Sequence, residues 1–72
     1  MTALGIYLAK RSINKSDVSR KTGISKVRLS ELTLNESTHL RAKELYFIAL
    51  AIHVDPAEMF LEIHEGVGLE EN

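Results

Sequence analysis

The chain has no cysteine and no tryptophan, a single proline among its 72 residues, and only 6% aromatic residues. Without cysteine it can build neither a disulfide framework nor a thiolate metal site, a usage that fits a reducing cytoplasm. No apolar run approaches the roughly 20 residues that a bilayer-spanning helix needs. The opening stretch, MTALGIYLAKRS, places its basic residues after the apolar part and has no cleavage-like site behind it, unlike a secretory signal. The four glycines are scattered and form no phosphate-cradling loop. His39, His53 and His64 share no metal-ligand spacing, and no serine, histidine and aspartate make a recognisable nucleophilic arrangement. We therefore expect no catalysis, no cofactor, no metal and no membrane contact. Repeats and low-complexity segments are also missing. A chain this short holds one domain, whose small core needs compact helix packing or oligomerisation to help it.

What is present is helical throughout. Leu4 and Leu8, four apart and flanked by Ile6 or Tyr7, predict a first helix over about residues 2–11. Asn14 is a good N-cap and Gly23 a good stop for a second helix. A third starts after Ser25, another capping residue, and runs to Leu32 or Thr33. LNESTHLR is polar and reads as a loop. The fourth helix, about residues 42–52, is the most apolar segment, with Leu45, Ile48, Ala49 and Ile52 on one inward face. The fifth opens with Asp55 as N-cap, Pro56 in the first turn and Glu58 positioned for a capping box. Met59, Phe60 and Ile63 form its apolar side, Gly66 and Gly68 its end, and 67–72 a short acidic tail beyond a domain of residues 1–66. The expected fold is all-α, five helices and no strand.

Residues 15–34 carry the most specific pattern. Val18 and Thr22 face inward on one helix, Leu29 and Leu32 on the next, and Ser19 is small where the two must cross. Gly23 lets the chain leave the first helix and Ile24 plugs the corner. This is the pattern of a helix-turn-helix, whose second helix lies in a DNA major groove. Charge supports it. All nine basic residues lie between Lys10 and Lys43, with three acids in residues 1–43, for a net +6. Residues 44–72 hold seven acids and no base, for −7, so the overall −1 conceals a polarised molecule able to show DNA a basic face.

Five short helices with this motif second and third resemble the lambda-repressor-like, or Xre, family of bacterial and phage DNA-binding domains. The resemblance covers about residues 4–63 and rests on Val18-Ser19, Gly23-Ile24-Ser25, Leu29, Leu32 and the run LYFIALAIHVDPAEMF. Three positions depart from the family's habit. Lys15 stands where many members have a phosphate-binding Gln, and can contact phosphate only as a point charge. Thr33 stands where many have a Glu, which removes a structural hydrogen bond. Asn35 stands where many have a Gly, and asparagine tolerates the left-handed backbone that glycine usually supplies.

The resemblance implies which side chains meet DNA. Lys26, Val27 and Arg28 open the recognition helix, with Glu31 on the same exposed side, and these are the expected base contacts. Arg28 can reach a base or a phosphate. Lys15, Ser25, Ser30, Thr38 and Arg41 are the expected phosphate contacts, and Arg41 can also enter a narrow minor groove. Arg20 and Lys21 lie nearer the edge and read as solubilising charges. The implied function is a sequence-specific transcriptional regulator, a repressor of the Xre type, inserting residues 26–33 into double-stranded DNA as a homodimer. Met59, Phe60 or Ile63, with exposed parts of Val54 and Leu69, are the expected dimer surface, or else complete the monomer's own core. The rival readings keep the fold and change the partner: an antitoxin, or an interaction module, with the acidic C-terminal half on another protein.

Overall fold

Local capping chemistry sets where each helix begins. The computed structural model describes residues 1–69, and among them the chain forms α1 (Ala3–Lys10), α2 (Lys15–Thr22), α3 (Lys26–Leu34), α4 (Ala42–Ala51) and α5 (Pro56–Ile63) and no strand. The Asn14 side chain accepts from the Ser16 and Asp17 N–H groups at 2.8 and 3.3 Å. Ser25 Oγ accepts from the Arg28 N–H at 3.0 Å. Asp55 does the same for Ala57 at 2.9 Å, with Pro56 in the first turn where a missing N–H costs nothing. The expected capping box is not made: Asp55 accepts from the Ala57 N–H and not from that of Glu58, and Glu58 returns no bond to Asp55. Gly23, in the left-handed region at φ 80°, ends α2.

The helices bury one continuous cluster. Leu4, Tyr7 and Leu8 come from α1, Val18 from α2, Leu29 and Leu32 from α3, Leu45, Ile48 and Ala49 from α4, and Met59 from α5. Ile13, Ile24, Leu40, Ile52, Val54 and Ile63 pack around it, half-buried. Tyr7, not Ile6, takes the inward place beside Leu4 and Leu8. The buried Tyr7 ring also carries the Arg11 guanidinium 3.6 Å above its centre. Arg11 in turn reaches Glu62 at 3.2 Å and fastens α1 to α5.

Helices α1 and α3 approach closely, and the approach depends on two residues at the start of the chain. Thr2 caps α1 by accepting from the Gly5 N–H at 3.0 Å, while its hydroxyl donates to the Leu32 carbonyl at 2.7 Å. Its own N–H donates to the Thr33 carbonyl at 2.9 Å. Gly5 makes room for this: a Cβ there would run into the Thr33 carbonyl oxygen. Thr33 itself is buried, and its hydroxyl donates to the Leu29 carbonyl at 2.9 Å. The position that often holds Glu is thus absorbed into the core, with its hydroxyl satisfied within α3 and its carbonyl by Thr2.

Several expectations change. The third helix extends to Leu34, and the fifth ends at Ile63, followed by a turn in which the Glu65 N–H donates to the Glu62 carbonyl and Gly66 is left-handed at φ 84°. Asn35 is extended, at φ −104°, not left-handed, and its side chain accepts from the Ser37 N–H at 3.0 Å. Met59 is fully buried and Val54 half-buried against the same cluster, so Met59 belongs to the monomer core and offers nothing to a dimer. Of the acidic tail, residues 70–72 lie outside the described residues. No described helix is long and apolar enough to cross a membrane.

Candidate nucleic-acid interface

The motif works by fixing one face of α3 so that the other can be offered to a ligand. Leu29, Leu32 and Thr33 are buried, while Lys26, Val27, Ser30, Glu31 and Leu34 remain exposed. That exposed set recurs at helical spacing and forms a single stripe. The turn before it is braced by Thr22, whose hydroxyl donates to the Val18 carbonyl at 2.6 Å and accepts from the Ile24 N–H at 3.1 Å. The half-buried Ile24 closes the corner against the core, and Ser19 is half-buried on the packed side of α2.

Val27 is 70% exposed although a β-branched apolar residue there does nothing for the fold. Among the described residues neither Lys26 nor Glu31 is held in an ion pair. Ser25 is exposed at the helix start, with its oxygen already accepting from Arg28 and its O–H still able to donate. Lys15 sits half-buried in the first turn of α2, and Ser30 is exposed. Thr38 is half-buried in the loop, its N–H bonded to the Asn35 carbonyl at 3.0 Å. Arg41 is exposed at the N-cap of α4. Arg20 pairs with Asp17 at 3.0 Å on the surface, as a solubilising charge does.

Arg28 behaves differently from its neighbours. Its guanidinium forks onto Glu44, Nε to Oε2 and Nη2 to Oε1, both at 2.9 Å. Nη2 also donates to the His39 carbonyl at 3.0 Å. Glu44 Oε1 accepts the Arg41 N–H at 3.0 Å, so one carboxylate caps α4 and clamps α3. The Arg28 hydrogen bond, helped by the Arg41 N–H and opposed by partial burial, holds the Glu44 carboxyl below the usual glutamate range. Arg28 in this conformation is a brace between α3, the loop and α4, made through Nε and Nη2.

Sequence reasoning missed Glu44 and Leu34. Glu44 lay three residues past the α4 N-cap, the spacing of a capping box, but Arg41 is an unusual cap and hid the signal. Leu34 opens the polar stretch that reads as a loop, yet it is the last residue of α3 and its exposed side chain extends the stripe. The histidines stay apart, in the loop, after α4 and after α5, and no described group of three or more His, Asp or Glu is arranged to hold a metal.

Two helices crossing at a glycine-ended turn, the second locked on one face and open along the other, are the means by which small domains enter a DNA groove. The fold is that of helix-turn-helix DNA-binding proteins. Residues 3–61 match the family model described as the Cro/C1-type HTH DNA-binding domain, and the chain belongs to that family. No curated protein and no solved structure matches the chain. The family assignment supports a DNA-binding regulator.

Proposed function

We propose that this chain is a sequence-specific transcriptional repressor of the Xre type, and that α3 enters the major groove. The observation that carries the reading is the exposed α3 stripe, where Val27 and Lys26 stand unengaged on the basic half of a polarised molecule. Lys26 donates to guanine O6 or N7, Val27 packs on a thymine methyl, and Glu31 accepts from cytosine N4. Lys15 and the N-terminus of α2, with Ser25, Ser30, Thr38 and Arg41, hold the phosphates on either side. Arg28 keeps α3 at the correct angle through Glu44 and reads no base while that pair is intact.

Glu44 is neutralised by Arg28, and the described acids beyond it, Asp55, Glu58, Glu62 and Glu65, face away from DNA in this arrangement, where they cost little affinity. A single domain of this size buries little surface on a duplex, so two copies occupy neighbouring half-sites about 34 Å apart. The unit that does this is residues 1–66, in the cytoplasm, with 67–72 as an acidic tail.

Selection of bound sequences from a random duplex pool, repeated at several salt concentrations, tests the proposal. Enrichment of a defined site, with affinity falling steeply as salt rises, is the expected result. No enrichment and no salt-sensitive binding would overturn it and leave the same fold as a module that binds a protein, an antitoxin included.

A further inference from the structure

One of the basic side chains on the proposed DNA face is neutralised. Lys15, Lys26 and the Arg41 guanidinium are in no ion pair among the described residues. Arg28 alone is forked onto a carboxylate, that of Glu44, by two bonds of 2.9 Å. The pair lies among the expected contacts, not at their edge. Arg28 follows Lys26 and Val27, its Nη2 bonds the carbonyl of His39 beside Thr38, and Glu44 accepts the Arg41 N–H.

Stability is a weak reason for a charged pair at this place. A half-shielded ion pair adds little that two well-packed apolar side chains would not. Capping α4 asks only for an acceptor three residues past the N-cap, which glutamine also supplies. The carboxylate adds a modest attraction to the α4 N-terminus and, beyond that, cancels the guanidinium.

That cancellation has a consequence for binding. Attraction to arbitrary duplex grows with the number of phosphates that free cations neutralise, so a paired arginine adds almost nothing to it. Arg28 Nη1 makes no hydrogen bond among the described residues, so the pair can still donate to one phosphate without bringing net charge. Discrimination is the ratio of affinity for the right site to affinity for all others. Lowering the second term raises that ratio as surely as improving the first. We propose, resting on the DNA-binding reading above, that Glu44 is a specificity-determining residue. By masking Arg28 it lowers affinity for arbitrary duplex while it holds α3 at a fixed angle for the preferred one. Glu44 acts through Arg28 and is a positioning residue, not a DNA contact.

Glu44→Gln tests this, because glutamine keeps an acceptor for the Arg41 N–H and removes only the charge. Fluorescence anisotropy measures affinity for a random-sequence duplex and for the duplex enriched by selection, at several salt concentrations. The temperature is one at which circular dichroism shows every variant folded. Glu44→Gln is expected to bind the random duplex about fivefold tighter than wild type near 0.15 M salt, with a salt slope steeper by about one unit. Preference for the enriched site should fall by at least the same factor. Adding Arg28→Gln to Glu44→Gln should return the slope and the random-duplex affinity to wild-type values, because the net charge of the face is then restored. A merely structural brace predicts the opposite sign, with every duplex bound more weakly once Glu44 is lost. That result, or an unchanged slope in Glu44→Gln, would overturn the proposal and leave DNA binding standing. Wild-type protein that enriches no site and shows no salt-sensitive binding would overturn the DNA-binding reading, and this proposal with it.

Discussion

Replacing Glu44 by alanine removes three hydrogen bonds at once, two from the Arg28 fork and one from the Arg41 N–H. Loss of the helix cap costs about 1 kcal/mol. The Arg28–Glu44 pair is partly shielded, with side-chain exposures of 28% and 14%, so it exceeds a fully exposed ion pair but falls short of a buried one. Taking another ~1 kcal/mol for it, less a few tenths for alanine's helix propensity, gives a net loss of about 1.5 kcal/mol. In a domain this small that lowers Tm by roughly 6–12 °C. Thermal and urea denaturation measure it directly. Acid adds a second readout. Because the folded carboxyl titrates below its unfolded value, its contribution is full above the ordinary glutamate pKa. It is lost as pH falls through the lowered folded value. The gap between wild type and Glu44→Ala should therefore shrink in acid, while Glu44→Gln should show a smaller and flatter deficit. A loss under about 0.5 kcal/mol, or a gap that stays constant down to strongly acid pH, would show that the clamp does not hold α3 to α4.

Gly5→Ala should destabilise the fold by about 1–3 kcal/mol in urea denaturation, despite alanine's better helix propensity, because its Cβ meets the Thr33 carbonyl oxygen. A stabilised variant would mean that α1 and α3 can separate at no cost. Thr2→Val, which removes the α1 cap and the bond to the Leu32 carbonyl, should cost about 1–2 kcal/mol in the same assay. Lys15→Ala should weaken binding to all duplexes and lower the slope of affinity against salt by about one unit, with the fold intact by circular dichroism. Val27→Ala should instead alter the preferred site in duplex selection, and an unaltered preference would make Val27 a bystander.

The helix starts and stops were legible from sequence because capping is short-range chemistry. Asn14, Ser25 and Asp55 each bond an N–H two or three residues ahead, and Gly23 supplies a backbone angle that other residues resist. The inward faces of α3 and α4 followed from helical spacing, since Leu29, Leu32, Leu45, Ile48 and Ala49 repeat every three or four residues. The exposed stripe of Lys26, Val27, Ser30 and Glu31 was legible for the same reason.

Periodicity could not say which of Ile6 and Tyr7 turned inward, nor that Met59 would be sealed in the core while Phe60 stayed exposed. Those outcomes depend on where neighbouring helices lie, not on spacing within one helix. The Arg28–Glu44 clamp joins residues 16 positions apart, and Thr2 reaches the Leu32 carbonyl across 30. Nothing local marks such pairs, because each residue alone is an ordinary surface charge or cap. Sequence by itself thus determined the five helices, their caps and the face that α3 presents. The tertiary structure decided which charges remain available on that face, because only packing α3 against α1 and α4 brings distant partners within bonding distance.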